Sequence, residues 1–109
     1  MSGQHIPGPW FYGQESADPE WYIVTIKGGL IVANVNAHHH QEANARLIAA
    51  APDLLEAATL LEKAEEAHAN CDECGGEEVP ELCPKCFPLF DDARLKRRAA
   101  IAKAEGRAP

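Results

Sequence analysis

Between residues 21 and 35 the chain reads in a strand-like pattern. WYIVTI (21–26) and LIVANV (30–35) are runs of β-branched and aromatic residues, separated by Lys27-Gly28-Gly29. Two such runs around a glycine pair predict a β-hairpin, because glycine readily takes the positive φ that a tight turn needs. A period of two puts Tyr22, Val24 and Ile26 on one face, with Trp21, Ile23 and Thr25 on the other. Residues 1–20, rich in Gly, Pro and Ser, predict irregular chain or an edge strand, and Trp10-Phe11-Tyr12 can add a third strand.

Beyond the hairpin the pattern takes the period of a helix. From Asn36 or nearby through QEANARLIAA, the residues Ala43, Leu47, Ile48 and Ala51 share one broad face. Pro52 interrupts, and a second helix starts with proline in its first turn, where a missing N–H is harmless. Asp53 and Glu56 suit the positive end of that helix dipole. Leu54, Leu55, Ala58, Leu61 and Ala64 form the stripe expected to be buried. A third helix opens at Pro88 or Asp91, carries Asp91 and Asp92 at its positive end, and stops at Gly106. On it Phe90, Ala93, Ala100, Ile101 and Ala104 share a face into which Arg97 intrudes, and its alanines permit close antiparallel packing on the second helix. Ile23, Val24, Leu47, Ile48, Leu54, Leu55 and Leu61 are expected in one core. The predicted fold is α+β, with an N-terminal β-hairpin (21–35), or three strands, packed on a helical pair. It forms one domain over residues 1–109, with helices in 36–70, a cysteine loop at 71–86 and a C-terminal helix over 88–106.

Composition sharpens this picture. Hydrophobic residues make up 46% of 109, but much of that is alanine and only 6% is aromatic, so the core is modest. Chains of this size often need a staple, and a metal is one of the usual kinds. All four cysteines fall in CDECGGEEVPELCPKC (71–86), as two Cys-x-x-Cys pairs eight residues apart. Each Cys-x-x-Cys turn aims two sulfurs into one concavity, and two such turns complete the tetrahedron that structural Zn²⁺ prefers. Gly75 and Gly76 follow the first pair where a knuckle must bend, and Pro84 lies inside the second. Cys71, Cys74, Cys83 and Cys86 are therefore the expected ligands of a structural zinc.

Other thiol chemistry fits less well. A thioredoxin-like pair follows a strand, and neither pair here does. Disulfides need an oxidising compartment, whereas no secretion signal or membrane-length apolar run is found, and a soluble protein of the cytoplasm is expected. Iron–sulfur ligation is open to four thiolates, but the compact pairing favours zinc. His68, three residues before Cys71, could substitute for a ligand; with four thiols present it reads more simply as a residue near a helix end. Four cysteines also close the shell that a catalytic zinc keeps open for water. Zinc deaminases share a ligand-x-Glu unit, matched by letter in Cys71-Asp72-Glu73, but Leu82 stands where their proline precedes the second pair.

Charge narrows the partners. The chain carries 17 acidic and 10 basic residues, a net charge of −7. Residues 1–87 hold fourteen acidic against four basic, a balance of −10, and residues 88–109 hold three against six, a balance of +3. An acidic body argues against nucleic-acid binding, which needs a basic face. The basic residues of the C-terminal helix spread around it without interleaved aromatics, and pairing with Glu56, Glu62, Glu65 and Glu66 explains them as well as nucleic acid does. The acidic loop residues Asp72, Glu73, Glu77, Glu78 and Glu81 read as a solvated face or a lure for a basic partner. His38-His39-His40 reads as a solvated linker, since three adjacent imidazoles cannot all face one ion. No nucleophile elbow or phosphate loop is present.

At NARLIAAAPDLLEA (44–57) the sequence resembles a widespread group of small accessory proteins of tailed bacteriophages and prophages. LIVANV (30–35) and the terminal ARLKRRAAIAKAEG (93–106) resemble the same group, and with the hairpin the match spans roughly half of the chain. Ala57-Ala58 stands where a leucine often follows. The resemblance implies a bacterial cytoplasm during infection and brings no catalytic residues. The expected function is that of a non-enzymatic phage accessory protein with a structural zinc, which binds a host or defence protein, an anti-defence inhibitor being one case. The alternative is a zinc-dependent nucleic-acid-binding regulator.

Overall fold

The computed structural model describes residues 5–14, 22–35, 40–74 and 82–107. Trp21, the helix start expected near Asn36, His38, His39, Gly75, Gly76, Glu77, Glu78 and Glu81 lie outside the described residues.

Strands β1 (Trp10–Gln14), β2 (Tyr22–Ile26) and β3 (Ile31–Val35) form one antiparallel sheet in that order, so Trp10-Phe11-Tyr12 does supply the third strand. Gly28 and Gly29 take φ of 99° and 87° in the hairpin turn. The turn is closed by the Gly29 N–H donating to the Ile26 carbonyl at 3.0 Å. Tyr12 lies opposite Val24, Val24 opposite Ala33, and Phe11 opposite Thr25. Cross-strand partners share a face, so the alternation read from the sequence holds. An irregularity between Val24 and Thr25 leaves Val32 as an extra residue on β3, and Val32 and Ala33 both pack on the core.

One face of the sheet is covered by α1 (Gln41–Ala49). Val24 and Val35 from the sheet meet Ala45 and Ala49, one turn apart on α1, with Trp10, Tyr22 and Ile48 around them. Alanine at both positions lets helix and sheet backbones approach closely. Pro52 lies in the first turn of α2 (Ala51–Ala69), and Gly106, with φ 74°, caps α3 (Phe87–Glu105). At this cap the Arg107 N–H donates to the Ala102 carbonyl at 2.8 Å and the Gly106 N–H to Lys103 at 3.2 Å.

α2 and α3 run antiparallel. Three rungs fix their register: Asp53 with Lys103 at 2.8 Å, Glu56 with Lys96 at 3.5 Å, and the His68 ring edge-on to Phe90 with centroids 6.0 Å apart. Between the rungs the helices meet through Ala57 and Ala64 on α2 and Ala93 and Ala100 on α3, all buried. Arg46 ties α1 to this hairpin, its Nε donating to the Ala104 carbonyl at 3.4 Å. The protein is long and narrow, 58 × 31 × 22 Å, with a radius of gyration of 17.9 Å. No helix among the described residues is long and apolar enough to cross a membrane.

The expected core needs correction. Val24 is buried and Ile48 packs beside it, but Ile23 sits on the opposite face of the sheet, half-buried. Leu54 and Leu61 are half-buried along the hairpin, and Leu47 and Leu55 are 53% and 52% exposed. Ala43, Ala51 and Ala58, placed on inward faces by periodicity, are exposed as well. The physical reason is that these contacts are made through alanine, which brings the backbones close and leaves the leucines at the rim. Leu55→Ala is therefore expected to change stability by about 0.5 kcal/mol or less in urea unfolding, as surface substitutions do. A loss above about 2 kcal/mol, the range for a buried leucine, would show that another surface covers it.

Candidate metal centre

The C-terminus of α2 and the N-terminus of α3 converge on the four cysteines. α2 leads directly into the first pair, with the Asn70 N–H donating to Glu66 at 3.2 Å and the Cys71 N–H to His68 at 3.1 Å. The second pair is a turn that opens α3. The Cys83 carbonyl accepts from the Cys86 N–H at 3.0 Å and the Phe87 N–H at 2.9 Å, and Cys86 is the N-cap residue. Because α2 and α3 are antiparallel, the two turns face each other across the end of the hairpin.

The sulfurs meet first with first and second with second. Cys71 Sγ lies 3.5 Å from Cys83 Sγ, and Cys74 Sγ 3.8 Å from Cys86 Sγ, with all four within 4.8 Å of one another. A tetrahedron with zinc–sulfur bonds of about 2.3 Å has edges of about 3.8 Å, so the two closest approaches match a metal-sized cage. All four cysteines are free thiols. Cys74 and Cys86 are buried and Cys71 and Cys83 are half-buried, so the cage has a protein side and a solvent side. The donor set is four soft sulfurs, which suits zinc.

The electrostatics of the thiols point the same way. A hydrogen bond from the Cys74 backbone is the largest influence on Cys71 and holds its pKa at about 7, against the opposing effect of burial. Cys74 is drawn down by the Cys83 backbone, but burial and the Cys83 and Cys71 thiols outweigh this and leave it raised. Burial pushes Cys86 well above the ordinary thiol value, helped by Cys71, Cys74 and Cys83. Crowded sulfurs resist carrying several negative charges together, and a divalent cation among them removes that resistance.

Two features of the site were not legible in the sequence. Lys85 and Glu73, one inside each Cys-x-x-Cys turn, form an ion pair at 3.6 Å that links the two turns at the exposed rim. Opposite charges at the inner positions of the two pairs are the signal that could have found it. His68 is the other: its ring packs against Phe90, and its Nδ1 is buried with no hydrogen-bond partner among the described residues. His68 is outside the group of side chains close enough to share an ion, which is the four cysteines alone among the described residues. Of the histidine triplet, His40 is described; it precedes α1, is exposed, and makes no side-chain capping bond.

No curated protein and no solved structure matches the chain. A family model does, over residues 1–108, covering the sheet, all three helices and the cysteine centre between α2 and α3. The chain belongs to the family of Salmonella phage P22 protein Y8K6.

Proposed function

We propose that this is a non-enzymatic phage accessory protein of the bacterial cytoplasm that acts by binding a host protein, with Cys71, Cys74, Cys83 and Cys86 holding a structural zinc. The observation that carries the reading is the four-sulfur cage, whose donors fill the coordination shell and leave no position for a substrate or water. A clasp of this kind orders a surface and performs no reaction. The face of the sheet away from α1 supports a protein partner. Phe11, Ile23, Thr25 and Ile31 share that face, with Phe11 49% and Ile31 48% exposed, and the neighbouring turn residue Leu30 is 62% exposed. Contiguous exposed apolar side chains of this kind mark interaction surfaces. The acidic body suits a basic partner surface, such as one that otherwise meets nucleic acid, and an anti-defence inhibitor is the special case that fits this best.

The nucleic-acid reading is weakened by where four cations of α3 and the residues just after it go. Lys96 and Lys103 pair with Glu56 and Asp53 on α2, Arg94 with Asp91, and Arg107 with Glu105. Capture from host lysate should yield a discrete protein with the intact chain and lose it with Phe11→Asp or Ile31→Asp at unchanged zinc content. Capture of nothing above background would count against the proposal. A shift of labelled DNA or RNA that fades steeply with salt would favour the alternative.

A further inference from the structure

The α2–α3 hairpin is two helices wide, and one of its sides is left uncovered among the described residues. A groove of about 410 Å³ runs along that side, with Leu54 and Leu61 on the α2 wall and Phe90 and Ile101 on the α3 wall. Every described residue that lines it comes from these two helices. Two helices alone cannot enclose their own apolar stripes, and a further layer is needed. The walls also differ in charge. Arg94 and Arg97 line the α3 wall, while on α2 Glu62 and Glu65 follow the lining residues Ala58 and Leu61 by four residues each and so border the same side. Arg97, Glu62 and Glu65 form no ion pair among the described residues.

We infer that this groove is the interface of a homodimer, in which the hairpin of a second copy completes a four-helix bundle. A partner of one charge sign would complement one wall and repel the other; a face with cations on one wall and anions on the other is complemented by itself. A two-fold axis parallel to the helices lays each α2 on the α3 of the second copy and keeps every residue at its own height. Glu62 and Glu65 lie between the Glu56–Lys96 and His68–Phe90 rungs, and Arg94 lies between the same rungs on α3 with Arg97 next to Lys96. Arg94 already pairs with Asp91 on its own helix, so the glutamate of each copy that meets an unpaired arginine of the other is Glu62, within about a turn of Arg97, twice by symmetry. An axis across the helices would instead lay α3 on α3 and bring arginine toward arginine.

The test is the mass of the full, zinc-loaded chain by light scattering over a wide concentration range. The expected value is twice the 11.8 kDa of one chain. Arg97→Glu or Glu62→Arg alone should weaken association by roughly tenfold or more, and the double swap should restore it. Should Arg97→Glu lower helix content, Arg97→Ala adds no charge and should still weaken the dimer. A monomer at every concentration overturns the inference, as does a dimer indifferent to both reversals or a double swap that fails to restore it.

Discussion

Stripping the metal from the purified protein is expected to lower its Tm by on the order of 10 °C or more, because metal binding and folding of the clasp are one equilibrium. The protein should carry about one equivalent of zinc as isolated. Chelation should expose four thiols to thiol reagents and loosen the end of the α2–α3 hairpin, while the sheet and α1, whose core lies elsewhere, stay folded longer. Cys83→Ser should reproduce the effect of chelation. The pH dependence has a definite sign. Zinc needs thiolates, and burial raises Cys86 above the ordinary thiol value, so metal binding must release protons. Metal-derived stability is thus full at neutral and alkaline pH and is lost as pH falls, with zinc released before the sheet melts. His68→Ala should leave the zinc content unchanged. Loss of zinc in that variant together with a dispensable cysteine would show a different ligand set, and metal-free protein with two disulfides from reducing cytosol would sink the clasp altogether.

A second large effect is expected from a small side chain. Ala45 is fully buried between α1 and the sheet, against Val24 and Val35. Ala45→Leu inserts three carbons into a filled contact and should cost about 1–3 kcal/mol. Ala45→Asp places an unpaired carboxylate there and should exceed about 4 kcal/mol, a large part of the stability of a chain this size. Denaturant unfolding followed by circular dichroism reads both. If neither variant differs measurably from the parent, helix and sheet are not in contact at this position.

The contrast between Ala45 and Leu55 shows which parts of the fold were legible in the sequence. Strand alternation, the Gly28-Gly29 turn, proline in the first turn of α2 and the Gly106 stop are local signals, and each appears where it was read. Ala64 on α2 and Ala93 and Ala100 on α3 are buried as the periodicity predicts, but Leu55 and Ala58 are not, because apolar residues point in several directions on α2, with alanine and leucine intermixed around it. Which of them faces inward is decided by how closely the neighbouring element can approach. That distance is a tertiary quantity: here it is short, and the alanines take the interior. The cysteine cluster was legible because spacing within each pair sets its shape. The Lys85–Glu73 link and the burial of the His68 Nδ1 depend on how the two helix ends and their turns face one another, which the spacing does not encode.

The elongation of the protein has a hydrodynamic consequence. A compact chain of this length has a radius of gyration of roughly 13 Å, against 17.9 Å here. Under the same scaling, 17.9 Å is the radius of a compact globule with roughly twice as many residues. On a gel-filtration column calibrated with globular standards, a single copy would therefore elute near the position of a compact dimer. A true dimer that stacks hairpin on hairpin gains thickness rather than length, so it would elute only slightly earlier. Elution volume thus hardly separates the two states for this molecule, whereas scattered intensity, which follows mass rather than shape, differs twofold between them.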